Sequence, residues 1–127
     1  MTINSDIFVG DKKNMKRVKN GFSYEKNGWT YISIKGTPSE RGYAHGYLIA
    51  DKFKRIQEMM KFMCVSEYGE TWEYFIEAGR VNLKPTIMQS FREYYDEMNG
   101  IAEGCCAGGT KTTLDEILAF PKVAAVV

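Results

Sequence analysis

The segment from residue 29 to residue 62 constrains the fold most, because a β-prone run changes there into a helix with almost no intervening loop. The run ends at Gly36, and the next residues carry three helix-start signals. Thr37 is a favourable N-cap, Pro38 suits the first helical position, and Glu40 completes a capping box with Thr37. We therefore predict a strand that ends at Gly36 and a helix that begins at Pro38.

The predicted helix extends to about Ser66 and presents two distinct faces. Gly42, Gly46 and Ala50 are four residues apart, so they share one face along which another backbone can approach closely. A glycine inside a helix costs about 1 kcal/mol relative to alanine, which indicates a packing requirement on this face. A neighbouring face has residues at spacings of four and three, namely His45, Ile49, Phe53, Ile56, Met60 and Met63.

The dipeptide Asn27-Gly28 lies between two β-prone runs, residues 22–26 and residues 29–34. A two-residue type I′ turn needs a positive φ angle at both central positions, and this dipeptide satisfies that need best. The pattern therefore predicts an antiparallel β-hairpin immediately before the long helix.

Two further helices are predicted downstream. The first covers Glu70 to about Leu83, and the second begins at Pro85 and ends at Gly104 through a left-handed cap. Their predicted inner faces contain Trp72, Phe75, Ile76 and Gly79 in the first helix and Ile87, Phe91, Tyr94, Met98 and Ile101 in the second.

The C-terminal quarter is predicted to contain a loop and one short helix. Residues 105–109 read as a Gly-rich loop, and Thr113 with Glu116 makes a second capping box. Pro121 is predicted to stop this helix, and residues 122–127 are apolar and β-prone. The chain is thus predicted to be α+β, a β-hairpin followed by about four helices.

Composition narrows the function classes. The chain has 127 residues, 44% hydrophobic and 26% charged, as a globular domain does, and its net charge of +1 favours neither nucleic acid nor an anionic membrane. No run reaches the roughly 18 apolar residues of a membrane span. The N-terminus lacks the features of a secretory signal, so we expect a cytoplasmic or other intracellular location rather than a lysosomal or secreted one.

The first 20 residues differ in composition from the rest. We divide the chain into a basic N-terminal arm, residues 1–20, and a single domain, residues 21–127. The arm is either a solvated leader or a binding segment for an anionic partner. Its basic residues have no periodicity and are Lys12, Lys13, Lys16, Arg17 and Lys19.

The three cysteines, Cys64, Cys105 and Cys106, do not predict a disulfide framework, because their number is odd and two are adjacent. One histidine and no C-x-x-C pair also exclude an ordinary zinc-site spacing. Cys105 and Cys106 could be ordinary thiols or a nucleophile. Their predicted place at a helix C-terminus would raise a thiol pKa, which favours ordinary thiols.

Residues 36–46, Gly-Thr-Pro-Ser-Glu-Arg-Gly-Tyr-Ala-His-Gly, resemble the N-terminal signature of the cysteine N-terminal-nucleophile hydrolases. The relevant members are the acyl-coenzyme A:6-aminopenicillanic acid acyltransferase-like group and the phospholipase B-like proteins. A second similarity covers residues 98–104 and 113–120, a type of segment that comes shortly before the nucleophile in that family. The two similarities span residues 29–120.

The resemblance implies a fold and a reaction. The family has a four-layer αββα sandwich, of which this chain would supply the opening strands and one helical layer. The family's nucleophilic cysteine follows a segment like residues 113–120, becomes a new N-terminus by self-cleavage, and uses its own α-amine as base. No cysteine follows Cys106 here, and Phe120-Pro121 stands where the family often has an asparagine.

The expected function is therefore that of a pre-nucleophile chain in a self-processing acyl hydrolase or acyltransferase acting on an amide or ester. The nucleophile would belong to a second chain from the same precursor, and this chain would not be active alone. No metal or organic cofactor and no nucleic acid partner is expected. We expect this chain to be bound to that second chain or to be self-associated. The alternative is a catalytically inactive, stand-alone relative that acts as an interaction or assembly protein.

The candidate residues for a pocket or for packing cluster at the start of the long helix. His45 is either a packing residue or a member of a site. Tyr43 and Tyr47 have hydroxyls that need partners if they are buried, which makes them candidates for a polar pocket lining, and the same holds for Tyr68 beyond this helix. Gly42 and Gly46 are the candidates for close backbone packing.

Overall fold

The computed structural model describes the backbone of residues 15–125 and the side chains of residues 15–120. Within residues 15–125, three strands precede five helices, so the α+β class and the order of a hairpin followed by helices are confirmed. The elements are β1 (Lys16–Val18), β2 (Gly21–Lys26), β3 (Trp29–Ile34), α1 (Pro38–Ser66), α2 (Trp72–Asn82), α3 (Lys84–Ser90), α4 (Arg92–Ala107) and α5 (Leu114–Ala125).

The strands form one antiparallel sheet in the order β1-β2-β3. Asn27 has a φ of 54° and Gly28 a φ of 80°, which are the two positive angles that the predicted type I′ turn requires. The third strand, β1, was not predicted, because three residues between basic side chains carry no periodic signal. It lies inside the predicted arm at residues 1–20, and residues 1–14 of that arm lie outside the described residues.

Helix α1 has the predicted bounds and begins with the predicted capping box. The Glu40 amide donates to Thr37 Oγ1 at 3.3 Å, and the Thr37 amide donates to Glu40 Oε1 at 3.1 Å. One face of the sheet lies towards α1. Lys16 on that face pairs with Asp51 at 2.9 Å, and Glu25 on the same face pairs with Lys52.

The predicted third helix is instead two helices. Phe91, with a φ of −134° and a ψ of 57°, separates α3 from α4. The break changes the helical phase, so Phe91 and Tyr94 are 49% and 64% exposed and the predicted inner face is wrong at these positions. Gly104 lies inside α4 rather than capping it, and the left-handed residue after the helix is Gly109.

The predicted loop at residues 105–109 is also corrected in part, because Cys105 and Cys106 form the last turn of α4. Helix α5 continues through Pro121 to Ala125, so the predicted stop is wrong. A proline removes one helical hydrogen bond. Residues 117–119, in the turn before Pro121, are buried, and this burial favours the helix. The predicted second capping box is half formed, since the Glu116 amide donates to Thr113 Oγ1 at 3.2 Å.

The core consists of two apolar clusters joined by Phe120. One contains Trp72 and Phe75 on the predicted inner face of α2, and the other contains Phe53 of α1 and Cys105 of α4. The Phe120 ring lies 5.3 Å from the Phe53 ring and 5.7 Å from the Trp72 ring, measured between centroids. The core thus fixes α1, α2, α4 and α5 to one another.

Candidate functional site

Helices α1 and α4 run parallel, and their backbones touch at the two glycines predicted from the sequence. A Cβ placed on Gly42 would overlap the Glu97 carbonyl, with the carbonyl carbon 2.8 Å away. A Cβ placed on Gly46 would overlap the Ile101 carbonyl and lie 2.8 Å from the Cys105 amide nitrogen. Separations below 3.0 Å leave no room for a side chain, so both glycines are packing residues.

The contact is reciprocal, because α4 also places glycines against α1. A Cβ on Gly100 would lie 2.5 Å from the Ser39 carbonyl oxygen, and a Cβ on Gly104 would lie 2.8 Å from the Tyr47 amide nitrogen. Just beyond α4, Gly108 faces the Ala50 methyl group, which completes the predicted small face of α1. The region that carries the family resemblance is therefore a closely packed pair of helices.

Tyr43 and Tyr47 lie beside this contact with their rings stacked on each other. The ring centroids are 6.5 Å apart and the planes differ by 12°. Tyr43 is 37% exposed, so its hydroxyl can be satisfied by water. The structure therefore places both tyrosines together at the side of the α1–α4 pair, and their backbone groups meet α4.

His45 is half-buried at the same helix crossing. Burial lowers the pKa of its imidazole, and the negative charge of Glu97 on α4 opposes part of that effect. Glu97 also lies 3.6 Å from the Arg41 guanidinium, so three ionisable groups from two helices meet here. The neutral form of His45 is therefore favoured relative to that of a free imidazole.

Cys105 and Cys64 are poorly suited to nucleophilic attack. Cys105 is fully buried, and desolvation together with the neighbouring Cys106 raises the pKa of its thiol to about 11. Burial also raises the pKa of Cys64. Cys106 is exposed, but its thiol donates to the Thr112 carbonyl oxygen at 3.2 Å. Helix-end charge was the expected cause of a raised pKa, whereas burial is the largest cause for Cys105.

A buried polar cluster that sequence reasoning missed joins α1 to the segment before α5. Gln57 Nε2 donates to Thr112 Oγ1 at 2.9 Å and to Glu116 Oε2 at 2.6 Å. Thr110 Oγ1 donates to the Ala50 carbonyl oxygen. Gln57, Thr110 and Thr112 are each at most 6% exposed. The available signal was Gln57 itself, a polar residue between Phe53 and Met60 on the inner side of α1.

The face of the sheet turned away from α1 is aromatic. Four aromatic residues alternate along β2 and β3 with the residues that face the helix, namely Phe22, Tyr24, Trp29 and Tyr31. Cross-strand pairing brings Tyr24 opposite Tyr31. The Tyr24 and Tyr31 rings stack with centroids 5.0 Å apart, and the Phe22 ring follows at 6.2 Å from Tyr24. Tyr31 is 45% exposed and Trp29 70% exposed. These four residues form the aromatic face of the sheet.

Within the part of the chain that the structure describes, no three His, Cys, Asp or Glu side chains are grouped so that they could hold a metal ion. No helix between residues 15 and 125 is long and apolar enough to cross a bilayer. Comparison with protein families, with curated proteins and with solved structures finds no match to this chain.

Proposed function

We propose that this chain is the pre-nucleophile part of a self-processing acyl hydrolase or acyltransferase, with its nucleophilic cysteine on a second chain from the same precursor. The observation that carries the proposal is the aromatic face formed by Phe22, Tyr24, Tyr31 and Trp29. Helix α1 covers one face of the sheet, and the other face presents rings at the surface. A sheet with one helix-covered face and one apolar face is suited to receiving a second sheet.

The cysteine environments agree with a nucleophile outside this chain. Cys105 has a pKa raised to about 11, and Cys64 is buried with a raised pKa, so neither supplies a thiolate near neutral pH. His45 is the one histidine of the sequence and lies at the α1–α4 crossing, where it interacts with Glu97. This chain would therefore contribute framework rather than the reacting groups.

The proposed reaction is acyl transfer through a thioester. The thiolate of the second chain's N-terminal cysteine attacks the carbonyl carbon of an amide or ester, and its α-amine passes the thiol proton to the departing amine or alcohol. Water or another acceptor then cleaves the thioester, which restores the thiol. Hydrogen-bond donors would stabilise the oxyanion formed in each step. No metal or organic cofactor takes part in this scheme.

The proposal can be tested on the protein isolated from its natural source. Intact mass measurement should reveal two chains, one of which begins with cysteine. Iodoacetamide should abolish acyl hydrolysis, measured on a panel of acyl amides and esters, with the label on that terminal cysteine. A single chain, or a label that inactivates the protein at one of the three cysteines of this sequence, would contradict the proposal.

Replacing Cys105 and Cys106 with serine provides the matched control. The double variant should retain activity in the complete protein to within about tenfold, equivalent to ~1.4 kcal/mol of barrier, because neither thiol reacts. Circular dichroism checks that the variant folds. A thousandfold loss with an intact fold would return the nucleophile to this chain.

A second candidate function is that of a catalytically inactive interaction or assembly protein. The observation that favours it is the exposed side of the sheet, where Trp29 is 70% exposed at the end of an uncharged strand. A protein of this kind would lack a Cys-initiated second chain and acyl hydrolase activity, and it would still bind another polypeptide through the sheet.

A further inference from the structure

The two outer strands of the sheet differ in how they are protected against pairing with another strand. Strand β1 is three residues long and carries Lys16 and Arg17. Strand β3 is six residues long, Trp-Thr-Tyr-Ile-Ser-Ile, with no charged residue and no proline. Soluble proteins protect exposed edges with short strands, charges, prolines or bulges. By this criterion the edge at β1 is protected and the edge at β3 is not.

The register identifies the backbone groups at the open edge of β3. The Lys35 amide donates to the Asn20 carbonyl oxygen at 3.2 Å, which marks these two residues as a hydrogen-bonded pair at the end of the β2–β3 ladder. Hydrogen-bonded and non-hydrogen-bonded pairs alternate along an antiparallel ladder. The backbone N–H and C=O groups of Thr30, Ile32 and Ile34 therefore point away from β2. No residue in the described range 15–125 pairs with this edge.

We infer that β3 pairs with β3 of a second copy of this chain, antiparallel and with the two-fold axis at Ile32. In this register Ile32 lies opposite Ile32 of the second copy and Thr30 lies opposite Ile34, so all outward groups find partners. Lys35 then lies opposite Trp29 of the second copy, where an ammonium group can contact the indole ring. Both side chains are exposed in the single chain, and Trp29 is 70% exposed.

Charge and ring geometry favour a second copy over other partners. Strand β3 has no charged residue, so self-pairing brings no like charges opposite each other. Binding of single-stranded nucleic acid would need open ring faces for bases to stack on. Here the Tyr24 and Tyr31 rings stack on each other at 5.0 Å, so each covers a face of the other.

The inference is separate from the proposed function, because it uses the edge of the sheet rather than its aromatic face. A second chain can cover the aromatic face while two copies pair through β3. The pairing involves one short strand from each copy, so the interface is at the small end of specific interfaces and we expect micromolar affinity.

A site-directed cross-link tests the register in the full chain. With Cys106→Ser to remove the exposed thiol, Ile32→Cys should form an intermolecular disulfide on mild oxidation, because opposite Cα atoms in such a pair are ~5.5 Å apart. Ser33→Cys is the matched control, since its counterpart would be ~8 Å away, beyond disulfide reach. We expect at least fivefold faster cross-linking of the Ile32→Cys chain.

Sedimentation velocity supplies the second measurement. The unmodified chain should dimerise as its concentration rises through the micromolar range, and Ile32→Pro should shift that equilibrium at least tenfold towards monomer by removing an outward N–H. Circular dichroism checks that the Ile32→Pro variant folds. If this variant does not fold, the cross-linking experiment tests the inference instead. A chain that stays monomeric to roughly 200 μM, well above the micromolar affinity expected of a small interface, would overturn the inference, as would equal cross-linking at residues 32 and 33.

Discussion

Gly46 allows the most direct test of the close packing between α1 and α4. Gly46→Leu should destabilise the protein by several kcal/mol, because the side chain would overlap the Ile101 carbonyl and added volume in a tight contact typically costs about 1–3 kcal/mol or more. Gly46→Ala is the sharper variant. Helix propensity alone predicts a gain of about 1 kcal/mol, so a loss isolates the close approach of the two backbones.

The measurement is the free energy of unfolding from urea titration. Glu58→Leu places the same side chain at an exposed position of α1 and serves as the control, for which little change is expected. An unchanged melting temperature for Gly46→Leu would show that the small face of α1 is not closely packed.

His45 gives a pH-dependent prediction with a definite sign. Its folded-state pKa lies below the ordinary value of about 6.5, so the unfolded chain binds more protons in that window and stability falls as pH falls through it. The His45→Gln variant should therefore lose less stability than the unmodified chain when the pH falls from about 8 to about 5.5. Thermal melts of both chains across this range provide the comparison. Equal slopes would mean that the folded structure does not disfavour the imidazolium.

At the scale of elements, Gln57 holds three parts of the chain together. It belongs to α1, and its side-chain amide reaches Thr112 before α5 and Glu116 within α5. Gln57→Leu should cost about 1–3 kcal/mol, because Thr112 and Glu116 would lose a buried donor. Hydrogen exchange should increase in the first turns of α5 more than in the first half of α1. Glu58→Gln, at the exposed neighbouring position, is the control. An equal increase in hydrogen exchange throughout the protein would show that Gln57 does not stabilise α5 locally.

At the scale of the whole molecule, the sheet determines what we expect of the isolated chain. One face carries rings at the surface, Tyr31 and Trp29 being 45% and 70% exposed, and the β3 edge has no partner among the described residues. We predict that residues 1–127 are found bound to a second polypeptide from the same precursor, or self-associated. Sedimentation with mass spectrometry of the natural material measures this. A 14.5 kDa monomer with cooperative unfolding would speak against the processed hydrolase and for the stand-alone module.

The sequence by itself determined the features that depend on neighbouring residues. The capping box at Thr37 and Glu40, the turn at Asn27-Gly28 and the bounds of α1 follow from local hydrogen bonds and φ angles, which a few adjacent residues specify. The small face of α1 was also predictable, because two glycines four residues apart in a helix need a reason in packing. What the sequence did not identify was the helix that lies against them.

Only the tertiary structure decided the features that depend on distant residues. Strand β1 exists because β2 is beside it, and the break at Phe91 resets the helical phase so that Gly100 and Gly104 of α4 meet α1. Gln57 became part of a cluster because Thr112, 55 positions away, folds back onto α1. Local propensity specifies where elements begin, whereas burial and hydrogen bonding between remote segments decide which faces meet, and those energies are not encoded in any short stretch of the chain.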